Sequence, residues 1–280
     1  MKYLNLGCGS NYSKQKEWVN LDFFPNGENI IKHNLLLGIP FENNSFDLVY
    51  HSHVLEHFSK DDGEKFIAEC FRVLKPGGIL RVAVPDLERI ARIYLKYLEL
   101  GLEDSTDKIV ELNYSWILLE MFDQMVRNST GGNMAKYLFQ ESILNEEFIF
   151  ERIGEEGKNL RSQFLNNSGT NNFIQKQESN KLFGGSLLKL LKRSFKKALA
   201  KKSTLDKKAL AIGQFRMKGE IHQWMYDRYS LPNLLKKNGG NNIQIRDAFT
   251  SFDKDWHTYE LDSNSNITRK PDSLFMEAIK

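Results

Sequence analysis

The fold is decided near the start of the chain, where residues 4–9 read Leu4-Asn5-Leu6-Gly7-Cys8-Gly9. A short apolar run that ends in two closely spaced glycines is typical of a buried parallel strand followed by a tight turn. Glycine in such a turn lets a ligand approach the backbone. A second run, residues 18–22, ends on Asp22, whose carboxylate is placed to accept hydrogen bonds from ribose hydroxyls. Together the turn and the acid favour an adenosine-containing cofactor.

The dinucleotide-binding motif G-x-G-x-x-G is incomplete at this turn. Its third glycine position is occupied by Tyr12, which counts against NAD as the cofactor. A G-x-G pair alone is a weak signal. A tight turn that binds no ligand therefore stays open as an alternative for these residues taken by themselves.

Strands and helices alternate outward from this turn. One helix is predicted to begin after Ser59, which has an acid three residues on, and another runs from Ser230 to Gly239. Strands that alternate with helices imply an α/β fold with a parallel sheet covered on both faces. The predicted strands are residues 3–6, 18–22, 45–51, 79–84, 243–246 and 273–279.

The middle of the chain has a different character, with long helical patterns and one polar stretch. Residues 154–185 have few apolar side chains to bury, so they predict a mobile loop. We expect a mainly helical insert or lid over residues 101–218, between two parts of one core, residues 1–100 and 219–280. Helices are predicted over residues 87–101, 107–127, 133–152 and 186–210.

The composition is that of an ordinary globular protein. Of 280 residues, 41% are hydrophobic and 27% charged, with 39 basic against 36 acidic side chains, which excludes disorder throughout. No apolar run approaches the roughly 20 residues that a bilayer-crossing helix needs. The N-terminus lacks the apolar core of a signal peptide, so a cytoplasmic location is the expectation. Cys8 and Cys70 are too few for a disulfide framework and are expected to be reduced.

Positive charge is concentrated in residues 186–218, which hold eleven Lys or Arg against one acid, Asp206. Residues 186–208 predict a basic amphipathic helix, which could contact an anionic membrane as a peripheral protein at its inner face, or a nucleic acid backbone. The preferred interpretation is a solvated face whose leucines pack on the insert or on a second subunit. Nucleic acid is disfavoured because no aromatic single-strand motif accompanies the charge.

Five segments occur in the order in which one enzyme family has them. They are residues 4–9 (LNLGCG), 20–22 (NLD), 39–49 (IPFENNSFDLV), 53–57 (HVLEH) and 72–78 (RVLKPGG). With them the chain resembles the class I S-adenosylmethionine-dependent methyltransferases. The resemblance covers about residues 1–100 and 219–280. It implies a Rossmann-like seven-stranded sheet with helices on both faces, a helical insert after the fifth strand, and S-adenosylmethionine as the cofactor.

The resemblance also implies where the parts of the cofactor lie. The loop after the first strand would wrap the methionine moiety, Asp22 would hold the ribose, and Asn34 would meet the adenine edge, to which an amide can both donate and accept. Asn34 and Asn5 stand where many relatives have an acid, so a catalytically silent partner-binding module stays open as an alternative. The predicted cofactor contacts are Asn5, Gly7, Cys8, Gly9, Asp22, Phe23, Asn34, Leu35 and His51.

Methyl transfer is an in-line displacement, so the enzyme positions the acceptor and, for a hydroxyl, removes a proton. Ligands of open parallel sheets bind beyond the carboxyl ends of the strands, where His53 and Asp86 should lie. Asp86 alternatively caps the helix that follows it, and the aromatic residues near His222 alternatively pack in the core. The predicted catalytic residues are Asp86, His222 and His53, and the predicted acceptor contacts are His57, Trp224, Tyr226 and Arg228.

The motif H-x-x-E-H at residues 53–57 has a second interpretation. Some related quinone and RNA methyltransferases carry Glu/His metal sites nearby, and this cluster could in principle hold an ion. A catalytic site would need a further ligand that the sequence does not identify. We therefore expect no metal, and expect His53 and His57 to line the pocket or to make local hydrogen bonds.

Two segments outside the first hundred residues narrow the resemblance. Residues 219–231 and 270–278 resemble a branch of predicted methyltransferases associated with surface-polysaccharide synthesis. The expected reaction is therefore O-methylation of a sugar or glycan hydroxyl. Methylation of a small metabolite, a protein or RNA is the alternative, since the same core would serve each.

Overall fold

The computed structural model describes residues 1–168 and 205–280, which form one α/β unit around a mixed sheet. Seven strands make up this sheet, in the order β3-β2-β1-β4-β5-β9-β6. A separate two-stranded hairpin joins β7 (Ser263–Asn264) to β8 (Ile267–Thr268). The strands of the main sheet are β1 (Tyr3–Leu6), β2 (Trp18–Asp22), β3 (Ile30–Lys32), β4 (Phe46–Ser52), β5 (Leu74–Pro85), β6 (Asn241–Arg246) and β9 (Ser273–Ile279). The expected seven-stranded α/β sheet is confirmed.

The sheet is not wholly parallel, in contrast to the expectation from the strand–helix alternation. Strands β1 to β5 pair in parallel, but β9 runs antiparallel to both β5 and β6. Strand β6 ends beside the start of β9, where Arg246 pairs with Phe275. The chain therefore leaves β6 and enters β9 at the same end of the strands. This requires β9 to run antiparallel to β6. Strand β3 was missed because its three residues are too few to show a pattern.

The helices follow the predicted positions in the core and depart from them in the insert. The side chain of Ser59 caps α1 by accepting a hydrogen bond from the backbone N–H of Asp62, as predicted. Helix α3 continues through a π-helical turn, Leu119–Asp123, into α4. The helices are α1 (Lys60–Val73), α2 (Leu87–Glu103), α3 (Lys108–Leu118), α4 (Gln124–Val126), α5 (Gly132–Leu138), α6 (Glu146–Ser168), α7 (205–216 of the described residues) and α8 (Ser230–Lys237).

One face of the sheet is covered by two helices. Phe66 and Ile67 of α1 and Leu231 and Leu235 of α8 are buried in the same apolar cluster as the residues of β1, β4 and β5 that face them. Helix α1 presents its apolar residues at helical spacing, as the sequence pattern indicated. This packing fixes the start of α1, and with it the loop at residues 53–58, relative to the ends of the strands.

The opposite face, over β1, β2 and β4, is covered by residues 247–262, which contain a single 3-10 turn, Trp256–Tyr259. The Trp18 ring meets Tyr259 at 5.2 Å and Trp256 at 6.4 Å between centroids, in edge-to-face contacts. Edge-to-face pairs stabilise by about 0.5–1.5 kcal/mol beyond their burial. The connection from β1 to β2 contains no helix. The aromatic cluster covers this face of the sheet instead.

The Arg81 cluster, formed by Arg81, Asp262 and Glu277, is buried beneath that aromatic layer. The guanidinium of Arg81 donates to Asp262 at 2.7 Å and to Glu277 at 2.9 Å, and also to the backbone carbonyls of Thr250 and Asp247. These bonds tie the covering segment to β5 and β9. The three side chains are almost fully buried, and their mutual hydrogen bonds offset the cost of removing charge from water.

The insert differs from the sequence prediction in two places. The predicted helix over 133–152 is divided into α5 and α6, and the guanidinium of Arg161 binds backbone carbonyls in the break, among them that of Leu138 at 3.0 Å. The mobile loop expected over 154–185 is wrong for residues 155–168, which are helical and follow a kink in α6 at Gly154, whose φ is 58°. Ile153 and Leu160 pack into the apolar cluster of the insert, so few apolar residues are enough here.

The remaining expectations for the insert concern residues that the structure does not describe. The rest of the expected loop, 169–185, lies outside the described residues, as does the predicted basic helix except for residues 205–208. The division into a core and an insert stays a prediction. Within the ranges that are described, none of the helices is both long and apolar enough for a passage through a bilayer.

Candidate functional site

A cavity of about 670 Å³ lies at the carboxyl ends of β1 and β4, the edge at which ligands of open α/β sheets bind. One wall is the glycine turn after β1, and the opposite wall is α6 together with the segment that precedes β9. The lining residues are Asn5, Gly7, Cys8, Gly9, Ser10, Asn11, Tyr50, Ser52, His53, Glu155, Glu156, Asn159, Leu160, Gln163, Leu261, Asp262, Arg269, Lys270 and Phe275. Four of the predicted cofactor contacts, Asn5, Gly7, Cys8 and Gly9, and one predicted catalytic residue, His53, are among them.

The glycine turn has a backbone shape that only glycine adopts easily. Gly7 and Gly9 have φ of 63° and 55°, and a Cβ on Gly7 would lie 2.4 Å from Val54 Cγ2. The backbone N–H of Gly9 donates to Asp22 Oδ2 at 2.7 Å, and that of Phe24 donates to Asp22 Oδ1 at 2.7 Å. The turn and the acid at the end of β2 are thus joined directly.

Two side chains of the turn region line the cavity in an uncharged form. Asn5 is buried, and its amide donates to Asn20 Oδ1 at 3.3 Å and to the carbonyl of Asn11 at 3.4 Å. Burial raises the pKa of the Cys8 thiol to about 12, with a further contribution from the charge of Asp22. Cys8 therefore contributes a neutral thiol to this wall.

The other predicted cofactor contacts lie outside the cavity lining. Asn34 caps a 3-10 turn, where its Oδ1 accepts from the backbone N–H of Leu36 at 3.1 Å, and Leu35 packs against the core from one side. Phe23 is 43% exposed and meets Phe24 edge to face at 4.5 Å. Asp22 is partly buried and also lies outside this lining.

His51 does not line the cavity, contrary to the prediction that it contacts the cofactor. Its side chain is fully buried against Phe66 at 5.0 Å between ring centroids, and neither ring nitrogen has a hydrogen-bond partner among the described residues. Burial lowers the pKa of His51 to about 3, so the ring is neutral. Successive side chains of a strand point to opposite faces, and since Tyr50 and Ser52 line the cavity, His51 points away from it.

His53 is the predicted catalytic residue that the structure does bring to the cavity. Its φ of 54° lies in the left-handed region, and its Nε2 lies 2.7 Å from the hydroxyl of Ser273. Burial, with a smaller contribution from the charge of Lys270, lowers the pKa of His53 well below its ordinary value. A neutral imidazole in this position can accept a proton.

Behind His53 lies the Glu56 cluster, formed by Glu56, His57 and His222. Glu56 is fully buried, and neither carboxylate oxygen has a hydrogen-bond partner in the part of the chain that the structure describes. Its Oε1 lies 4.0 Å from His57 Nε2 and 3.9 Å from His222 Nε2. His53 Nδ1 approaches the same oxygen at 3.5 Å. Three histidines therefore converge on one carboxylate oxygen.

Burial controls the ionisation of this cluster. It raises the pKa of Glu56 to about 8 and lowers the pKa of His57 to about 4. Burial also lowers the pKa of His222 well below its ordinary value, assisted by the neighbouring His57. Each shift favours the neutral form, because a charge loses hydration in a buried site.

A backbone contact between two distant segments holds the cluster together. The carbonyl of Glu56 accepts from the backbone N–H of Gln223 at 2.7 Å, and the Gln223 amide donates to the carbonyl of His57 at 2.7 Å. The backbone N–H of His222 donates to the carbonyl of Gln124 at 3.0 Å. Residues 221–224 are thus fixed against the loop that carries the H-x-x-E-H motif.

The structure separates the other predicted acceptor contacts from the cavity. Tyr226 is buried in the main apolar core, and Arg228, 62% exposed at its side chain, pairs with Glu88 at 2.6 Å. Trp224 is partly exposed, with Lys60 Nζ 5.1 Å from its ring centroid. None of the three lines the cavity, so the structure does not bring them together with it, and their role as acceptor contacts stays a prediction.

The remaining two predicted catalytic residues are engaged elsewhere. Asp86 caps α2, with its Oδ1 accepting from the backbone N–H of Arg89 at 3.1 Å, as the alternative interpretation stated. His222 is buried in the Glu56 cluster. Neither residue lines the cavity.

Sequence reasoning missed the polar wall that faces the glycine turn. Glu155, Asn159 and Gln163 of α6 line this wall, but they lie in the stretch that was interpreted as a loop. Arg269 completes it and pairs with Glu155 at 2.5 Å. The signal that could have found the wall is the helical spacing of Ile153, Leu160 and the apolar residues before them in an otherwise polar stretch.

Comparison with known proteins connects the first part of the chain with one enzyme family. Residues 4–82 match the family model described as a methyltransferase domain. A probable S-adenosylmethionine-dependent methyltransferase from Mycolicibacterium smegmatis is 31% identical over 100 residues, which is 30% of this chain and 37% of that protein. The chain thus spans little more than a third of the length of this curated relative. Residues 4–82 carry the sequence features of a methyltransferase domain.

Solved structures similar to the chain are remote in sequence. A methyltransferase from Thermotoga maritima, described as a possible histamine N-methyltransferase, is 12% identical with a TM-score of 0.37, over 100% of this chain and 82% of that one. PKMT2 from Rickettsia typhi, solved with AdoHcy, is 13% identical with a TM-score of 0.36, over 99% of this chain and 48% of that one.

Proposed function

We propose that this chain is an S-adenosylmethionine-dependent methyltransferase that methylates a hydroxyl oxygen of a sugar or glycan. The observation that carries the proposal is the cavity between the glycine turn after β1 and the polar side chains of α6. The match of residues 4–82 to a methyltransferase domain supports the reaction type, and the M. smegmatis relative supports the cofactor.

The glycine turn and Asp22 would bind the cofactor. Gly7 and Gly9 leave their backbone uncovered by side chains at the cavity wall, so a methionine moiety can approach it closely. Asp22 already accepts two backbone N–H groups, and a carboxylate has further lone pairs for ribose hydroxyls. The open surface formed by Phe23, Phe24 and Leu36 offers an apolar rim for the adenine.

The wall formed by α6 supports an acceptor that carries several hydroxyls. Asn159 and Gln163 each offer an amide donor and an amide acceptor, and Glu156 offers carboxylate oxygens. Lys270 adds a cation close to them. A polyhydroxylated ligand fits such a mixed donor and acceptor surface better than an apolar metabolite does, since each buried hydroxyl needs a partner.

His53 is the best supported proton acceptor for a hydroxyl. It lines the cavity, whereas Asp86 is a helix cap and His222 is enclosed. Burial lowers its pKa, which leaves the ring neutral but a weaker base than a free imidazole, and the hydroxyl of Ser273 lies 2.7 Å from its Nε2. The chemical role of His53 is to take the hydroxyl proton as the oxygen attacks the methyl group of the sulfonium.

A transfer assay tests this proposal. Full-length protein is incubated with S-adenosylmethionine carrying a labelled methyl group and with a panel of sugars, nucleotide sugars and oligosaccharides, and label in the acceptor is measured. We expect transfer to at least one hydroxyl acceptor. His53→Gln should lower the rate by roughly 10²–10⁴-fold while leaving cofactor affinity unchanged, because it removes the base and not the cofactor wall.

The matched control is His257→Gln, which removes an exposed histidine far from the cavity lining and should leave the rate unchanged. Label that appears only on protein, RNA or a small amine would replace the sugar acceptor by one of those classes. If His53→Gln transferred methyl groups as fast as the wild type, the assignment of His53 as the base would be wrong.

A further inference from the structure

We propose that Glu56, His57 and His222 bind a divalent transition-metal ion with the donor preference of Zn²⁺, at a buried site next to the cavity. One oxygen of Glu56 and one ring nitrogen of each histidine lie within 4.8 Å of one another. This inference replaces the expectation from sequence that the H-x-x-E-H motif binds no metal. It does not rest on the methyl-transfer proposal, because the site is defined by its own ligands.

The first argument is the state of Glu56. A fully buried carboxylate whose two oxygens lack hydrogen-bond partners among the described residues is rare in folded proteins, and leaving such a group unsatisfied costs about 1–3 kcal/mol or more. The nearest ionisable groups are the histidines, at 3.5–4.0 Å, which is too long for hydrogen bonds. A bound cation would supply the partner that the carboxylate lacks.

The second argument is the orientation of the histidine nitrogens. His57 Nδ1 lies 3.2 Å from the carbonyl oxygen of Ile221, and since a carbonyl can only accept, Nδ1 carries the proton. His57 Nε2 is then unprotonated, so its lone pair is free to bind a metal ion, and this nitrogen lies 4.0 Å from Glu56 Oε1. Donation of the second ring N–H to a backbone carbonyl is the usual support of a metal-binding histidine.

The third argument is the spacing of the donor atoms. Ligand atoms at the bond lengths of a tetrahedral zinc ion lie about 3.3 Å apart. The observed distances from Glu56 Oε1 are 4.0 Å to His57 and 3.9 Å to His222, and all three donor atoms lie within 4.8 Å of one another. The side chains must therefore move closer together by roughly 0.6–1.5 Å to bind an ion. Two histidines and one glutamate form the donor set of known catalytic zinc sites with an open fourth position.

The scaffold and the surrounding charges are compatible with an ion. The backbone bonds between Glu56 and Gln223 hold the two ligand segments in place. The nearest cations are already paired, Arg127 with Glu220 at 3.3 Å and Lys270 with Glu156 at 3.9 Å. His53, which lines the cavity, approaches the ligand oxygen at 3.5 Å, so the proposed site lies next to the cavity.

Metal titration of the full chain tests the inference. After treatment with a chelator, the protein is titrated with Zn²⁺ by calorimetry and with Co²⁺ by visible absorption, without cofactor or acceptor. We expect one ion per chain, Co²⁺ bands typical of nitrogen and oxygen ligation, and no comparable affinity for Mg²⁺, which prefers oxygen donors. Glu56→Gln and His222→Gln should each lower the affinity at least about 100-fold, since losing even a group that supports a ligand costs about 10–100-fold.

His257→Gln is the control and should bind metal as the wild type does. His57→Gln is the third ligand variant and replaces either of the others should that variant fail to fold, as judged by circular dichroism. Absence of stoichiometric Zn²⁺ binding by the folded wild type would overturn the inference, as would ligand variants that bind as tightly as the control. The metal titration contains no cofactor or acceptor, and the transfer assay measures label in an acceptor, so failure of either proposal is distinguishable from failure of the other.

Discussion

The Arg81 cluster and the Glu56 cluster are both buried and both contain carboxylates, but their carboxylates are satisfied to different degrees. Asp262 and Glu277 accept hydrogen bonds from Arg81, and Asp262 also accepts from the Tyr50 hydroxyl at 2.6 Å. Glu56 has no comparable bond within the described ranges. The difference teaches that buried charge in this protein serves two purposes: the complete cluster holds the fold, and the incomplete one is available for a ligand.

The location of the two clusters agrees with this division. The Arg81 cluster fastens residues 247–262 over the sheet through backbone carbonyls, so a ligand has no access to it except along the Asp262 edge. The Glu56 cluster lies directly behind His53, which lines the cavity. Stability and function therefore depend on different buried groups, and substitutions can separate them.

Removal of Arg81 should have the largest effect on stability. Arg81→Met leaves Asp262 and Glu277 buried without their main partner, and breaking a buried pair in this way costs about 3–5 kcal/mol. We expect that loss in the free energy of unfolding, measured by urea titration followed by circular dichroism.

The matched control for this change is Lys75→Met. Lys75 pairs with Asp47 at 2.9 Å but is 42% exposed, so its loss should cost less than about 1 kcal/mol. Equal costs for the two variants would mean that the buried cluster contributes no more to stability than a surface pair does.

The Glu56→Gln substitution should raise the free energy of unfolding, whereas Arg81→Met lowers it, and its effect should be smaller. In metal-free protein it replaces an unsatisfied carboxylate by a neutral amide and should raise the free energy of unfolding by up to about 1–3 kcal/mol. Because burial raises the folded-state pKa of Glu56 to about 8 from an ordinary 4.5, the wild type loses more stability than the variant does as pH rises through this interval. Urea titrations at several pH values measure the difference.

The surrounding groups do not obscure this pH comparison. His53, His57 and His222 have lowered pKa values, so they cost stability only on the acid side of the ordinary histidine pKa, and they do so in both proteins. Lys270 and Asp272 also face Glu56 and are unchanged between the two. A variant that lost stability relative to the wild type across this range would contradict the description of Glu56 as unsatisfied.

The parts of the fold that could be predicted from sequence are those specified by neighbouring residues. The glycine turn after β1, Asp22 at the end of β2 and the Ser59 cap are each local patterns, and each is found where expected. The antiparallel direction of β9 and the helical form of residues 155–168 are set by packing between distant segments, so local patterns did not contain them.

In the candidate site, too, local sequence patterns did not reveal which distant residues come together. The H-x-x-E-H motif can be read from the sequence, but the third ligand, His222, comes from a segment more than 160 residues away. Backbone and side-chain hydrogen bonds of the folded protein join this segment to the motif. His51 was expected at the cavity because it lies at the carboxyl end of a predicted strand, but side chains alternate along β4 and that of His51 points to the other face. Tyr226 and Arg228 follow His222 in sequence, but neither lines the cavity.

The most direct test of the proposed function is isothermal titration of the wild-type chain with S-adenosylhomocysteine. We expect one site with micromolar affinity. Asp22→Ala should weaken binding by the roughly 1.5–3 kcal/mol of a charged hydrogen bond, while Asp61→Ala, an exposed acid in the first turn of α1, should not change it. A folded wild-type protein that does not bind S-adenosylhomocysteine would contradict the proposal and favour a partner-binding module of the same fold.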